Sequence, residues 1–145
     1  MKSGAEGAHF SGALLLTFSF DKHNAAMTVI QDTLRLFGIT RCYKGFQHSA
    51  YAIYLTVQDE SRLEAVTKEI YMGTASHFNC NWTAVERNIR TAVARAWRIN
   101  RPLLVKIAGY PLTYPPTASE FIEILASYIL RSSQPQPQLR PLAIL

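Results

Sequence analysis

Along most of this chain apolar residues recur every three or four positions, the spacing of helices that bury one face. Met27, Ile30, Leu34 and Phe37 mark a first helix from about Asn24, and Gly38 is placed to end it. A second helix is expected from about Lys44 to Gln58, with Phe46, Ala50, Ile53 and Val57 inward. Tyr51 and Tyr54 on that helix read as packing at the core edge rather than as a stacking platform for bases. Leu63, Val66, Ile70 and Tyr71 carry a third helix, which Gly73 is expected to break or kink before Phe78.

Asn79-Cys80-Asn81 reads as a turn, with Asn81 as the N-cap of a helix that starts at Trp82. That helix is expected to run to about Arg98 and to have ended by Arg101, because Pro102 disfavours helical geometry in the residue before it. Pro102 suits the first turn of a short helix through Ile107, closed by Gly109. Pro115-Pro116 then breaks the chain, and Thr117 with Glu120 forms a capping box ahead of Phe121, Ile124, Leu125 and Tyr128. The expected fold is all-α, with about six helices and no convincing strand.

A length of 145 residues makes one domain the expectation, and 48% hydrophobic with 17% charged residues is globular composition. The expected organisation is a leader over 1–22, a helical domain over 23–131 and a tail over 132–145. The apolar run from Ala13 to Phe20 is too short to span a bilayer, which takes about 20 residues. As a signal-peptide core it lacks a strong positive region, since Lys2 stands alone and far upstream. A cytoplasmic protein without a membrane span is therefore expected. Ser132-Ser133-Gln134-Pro135-Gln136-Pro137-Gln138 reads as a tail that forms no packed element.

The charge changes the picture more than the composition does. Between Trp82 and Arg101 stand Arg87, Arg90, Arg95, Arg98 and Arg101 against the single acid Glu86, which accounts for most of the net +5. On a helical wheel at about 100° per residue, Val85, Ile89, Ala92, Val93 and Ala96 form the inward stripe. The opposite side collects Thr83, Arg87, Arg90, Thr91, Ala94 and Arg98, with Glu86 on the flank. The segment 71–98 has the dimensions of a helix-turn-helix, whose second helix enters the major groove of DNA. On that reading Arg87 can donate two hydrogen bonds to O6 and N7 of guanine, and Glu86 can accept from N4 of cytosine. A carboxylate facing DNA repels phosphate, so its presence speaks for base discrimination. The plainer alternative is that Glu86 only pairs with Arg90, and that the arginines form a solvated face.

Other chemistries are poorly supported. His77, Cys80, Cys42 and His48 lack the paired Cys-x-x-Cys spacing of a zinc site, so no metal is expected. The same residues come without an oxyanion loop or a glycine-rich loop, and acids are scattered singly, so neither an enzyme nor a cofactor is expected. The stronger rival is a helical protein-interaction module that turns the arginine face to an acidic partner. Trp97 reads as core packing behind the arginine-rich helix.

Val85-Glu86-Arg87-Asn88-Ile89-Arg90, followed by Ala96-Trp97, resembles the recognition helix of the sporulation stage zero A response regulators, in their DNA-binding effector domain. The resemblance runs from about Asn24 to Arg131. It takes in Tyr43-Lys44-Gly45-Phe46, Phe78-Asn79, Gly109-Tyr110 and Thr117-Ala118-Ser119-Glu120-Phe121-Ile122. It implies a six-helix, winged-helix-like effector domain with an embedded helix-turn-helix. Such a domain binds short boxes of double-stranded DNA, often as a homodimer on tandem sites, and touches RNA polymerase and its sigma factor. By the same resemblance Glu86, Arg87 and Arg90 match the family's base-reading glutamate and arginines, while Ala84 and Thr91 replace a basic residue and a histidine. The receiver domain that precedes the effector in that family has no room here. The expectation is an excised fragment, or a protein not switched through a receiver of its own.

Overall fold

Gly38 terminates the first helix through the backbone bonds of a left-handed cap. Helix α1 covers residues 22–35, and Gly38 at φ 74 lets its own N–H reach the Arg35 carbonyl (3.0 Å) and the Ile39 N–H reach Leu34 (3.2 Å). The computed structural model describes residues 22–133. The apolar run at 13–20 and the tail residues 134–145 lie outside the described residues, whereas Ser132 and Ser133, read as tail, close the last helix.

Helix α2 (Lys44–Gln58) buries Phe46, Ala50 and Ile53 as its spacing requires, with Val57, Tyr51 and Tyr54 half-buried at the core edge. The third helix departs from expectation. A 3-10 segment (Glu60–Ala65) and a π turn (Val66–Tyr71) precede α3 (Met72–Phe78). The irregularity sits at Ala65, whose φ −141 and ψ 63 leave helical geometry, and not at Gly73. Gly73 stays helical, and its missing side chain admits α2: a Cβ there would stand 3.1 Å from Leu55 Cδ1.

Helix α4 (Trp82–Ala108) joins the two helices expected at 82–98 and 102–107. One residue separates them, Asn100, with φ −147 and ψ 57. Its side chain holds the kink, donating from Nδ2 to the Leu36 carbonyl (3.0 Å) while Oδ1 faces the Leu103 N–H (3.4 Å). Pro102 thus falls in the first turn after the kink, where its missing N–H costs least. Helix α5 (Ala118–Ser133) opens on the expected capping box: Thr117 Oγ1 accepts from the Glu120 N–H (3.1 Å), and Glu120 Oε1 accepts from the Thr117 N–H (2.8 Å).

The five α-helices of the described residues share one core, in which Ile30, Leu34, Phe37, Phe46, Ile53, Ile89, Leu104, Phe121 and Leu125 are almost fully buried. Each such side chain contributes about 1.5–3 kcal/mol of burial. No strand occurs among the described residues, and no helix of theirs is long and apolar enough to cross a membrane.

Candidate nucleic-acid interface

Helix α4 presents its arginines because its inward stripe is fully used. Val85, Ile89, Ala92, Val93 and Ala96 are all buried, at 4% exposure or less. The wheel then dictates that Thr83, Arg87, Arg90, Thr91, Ala94 and Arg98 face outward, and all six are exposed. Glu86 is half-buried on the flank.

The turn before this helix is set by Asn79, the one non-glycine residue at positive φ (55) among those described. Asparagine tolerates the left-handed region, and the Cys80 N–H reaches back to the Ala75 carbonyl (2.9 Å) to close α3. Asn81 occupies the N-cap with extended backbone and its carbonyl accepts from Ala84 and Val85, but its side chain makes no capping bond. Trp82 lies parallel to Tyr71 across the turn, ring centroids 6.4 Å apart. Burial first, and the Glu86 charge second, push the Tyr71 phenol up to about 12.

Three contacts fix the helix against its scaffold. The Arg95 Nε–H donates to the Gly38 carbonyl (2.7 Å), and its guanidinium lies 4.7 Å from the Tyr43 ring centroid. His48 Nδ1 and Asn88 Nδ2 stand 3.2 Å apart, the one hydrogen bond between side chains of distant segments among the described residues. Burial, then the Lys44 charge, lowers the His48 imidazole below its ordinary value of 6.5, which favours the neutral ring that can accept from Asn88. Gly45 completes the contact, since a Cβ there would stand 2.5 Å from the Asn88 carbonyl oxygen.

The five arginines are therefore not equivalent. Arg95 is engaged by α1 and Tyr43, and Arg101 covers the half-buried Trp97 ring at 4.2 Å. Arg87 and Arg98 project without a side-chain partner among the described residues, and Arg90 meets Glu86 at 3.5 Å. That ion pair exists, as the plainer reading of Glu86 required, but the Arg90 side chain remains 63% exposed and the pair is worth only a few tenths of a kcal/mol. It leaves both groups able to turn to another partner. Sequence spacing showed which residues face out but not that the scaffold holds Arg95, because its partner Gly38 lies 57 positions away.

Rival sites gain little from the fold. Cys42 and Cys80 are free and exposed, and no three metal-ligating side chains gather among the described residues. His77 stacks on Tyr51 at 4.0 Å between centroids.

A family model described as the sporulation initiation factor Spo0A C terminal matches residues 30–129. The match spans more than half of the 145 residues, and the chain belongs to this family. The family is one of DNA-binding effector domains that regulate transcription, not one of enzymes.

Proposed function

We propose that this member of the Spo0A C-terminal family is a sequence-specific regulator of transcription that reads the major groove of DNA with the outer face of α4. The observation that carries the reading is the division of α4 into a wholly buried apolar stripe and an exposed face of Thr83, Arg87, Arg90, Thr91 and Arg98. Arg87 is assigned to O6 and N7 of guanine, and Glu86, on the flank, to N4 of cytosine. Ala94 and the two threonines keep the face low enough for close approach to the groove. Arg90 turns from Glu86 to the duplex at little cost, given the weakness of their ion pair. On this reading the protein acts in the cytoplasm, binds tandem sites as a homodimer, and meets RNA polymerase or its sigma factor.

Titration of duplex DNA at several salt concentrations tests the reading. Phosphate contacts release counterions, so binding should weaken steeply as salt rises. An acidic protein surface is the rival partner of the same arginine face. Absence of binding to any duplex, or affinity indifferent to salt, would overturn the DNA reading in favour of that rival.

A further inference from the structure

Beside the proposed reading face, between the start of α2 and the edge of α4, lies an indentation of about 70 Å³. Its floor holds the buried Ile39 and Ala92, and its rim carries Tyr43, Lys44, Thr91 and Arg95. The close approach at Gly45 and the His48–Asn88 contact tie this rim rigidly to α4. Asn88 is the direct neighbour of Arg87, and Thr91 belongs both to the rim and to the outer face. The indentation therefore keeps a fixed position relative to whatever α4 reads.

Its chemistry is that of a cationic rim over an apolar floor. Lys44 is exposed and has no ion-pair partner among the described residues. Arg95 uses only Nε on Gly38, so its two outer nitrogens remain for an acceptor. The volume is far below the roughly 300–1,000 Å³ of a pocket that encloses a free ligand. Too small to enclose a ligand, it suits instead a chain lying across it that sets a charged phosphate at the cationic rim.

We infer that Lys44, with the outer nitrogens of Arg95, binds a backbone phosphate of the duplex whose bases α4 reads. This rests on the reading of α4 as a groove-reading helix. Contacts of this kind set the register of a protein on DNA and carry no sequence information themselves. The start of α2 thereby becomes a second DNA-contacting element, outside the helix-turn-helix.

The test uses the full chain and a duplex of its preferred sequence, selected with the unmodified protein. Lys44→Ala should reduce the slope of log affinity against log salt by about 0.9, the contribution of one phosphate. Between about 50 and about 200 mM salt, the variant should accordingly lose about threefold less affinity than the unmodified protein. Lys44→Arg should restore the slope, and neither change should alter sequence preference. An unchanged slope with intact specific binding would overturn the phosphate contact and leave the DNA reading standing. A changed base preference would show that Lys44 touches a base, and would overturn it too. If the unmodified protein binds no duplex, the inference falls together with the reading beneath it.

Discussion

The Arg95 Nε–H donates a 2.7 Å hydrogen bond to the carbonyl oxygen of Gly38, so an arginine in the middle of α4 closes the end of α1. Gly38 is the residue whose positive φ terminates α1, and a Cβ on it would meet Ile99 at 3.2 Å. Chain reversal and the seating of α4 are thus one construction. Arg95→Ala removes a half-buried hydrogen bond to a charged donor and should lower unfolding free energy by about 1.5–3 kcal/mol. Arg98→Ala, at an exposed residue whose side chain has no partner among the described residues, should stay within about 0.5 kcal/mol. Chemical denaturation of both variants checks this, and equal effects would contradict a structural role for Arg95.

Gly45 predicts a second asymmetry. Any Cβ there lies 2.5 Å from a backbone oxygen of Asn88, which cannot rotate away, so α2 and α4 must part. Gly45→Ala should cost about 1–3 kcal/mol through overpacking. Gly109→Ala meets nothing within 4 Å and bears only the strain of its positive φ, about 1–2 kcal/mol. Thermal melts read both costs, and the position of α2 tells the two causes apart. Crystallography of Gly45→Ala should show the helices displaced, and an unmoved α2 would contradict the close contact.

The His48 imidazole makes stability depend on pH. Its folded-state value lies below 6.5 because of burial first and Lys44 second, so the unfolded chain binds the proton more readily. Its contribution is fully present above about 6.5, and is lost as pH falls from there through the lowered folded value. His48→Gln cannot titrate and can still hydrogen-bond Asn88. The gap in unfolding free energy between the two proteins should therefore narrow, or change sign, between about pH 7.5 and about pH 5.5. Parallel pH profiles would show that His48 is not shielded.

The inward stripe of α4, the Gly38 stop and the Thr117–Glu120 capping box were all legible in the sequence, because each depends on residues at most a few positions apart. The π turn at Val66–Tyr71 was not, since Leu63, Val66 and Ile70 fit an ordinary helix and the break at Ala65 bears no glycine or proline. Asn81 carried the right residue type for a cap, yet its side chain makes no capping bond. The outward face of α4 was read correctly as geometry. Its arginines looked alike because local spacing carries no record of Gly38, Tyr43 or the indentation at Lys44.

Base reading by α4 is tested by selection of sites from a randomised duplex library, using the unmodified protein, Arg87→Ala and Glu86→Ala. The unmodified protein should enrich one short motif. Each variant should lose preference at one position, with Arg87→Ala costing about 1–3 kcal/mol at a guanine and little elsewhere. Glu86→Ala should relax a cytosine position while leaving stability within about 0.5 kcal/mol, because its pair with Arg90 is worth so little. No enriched motif, or variants that weaken all sequences equally, would contradict base reading by the outer face of α4.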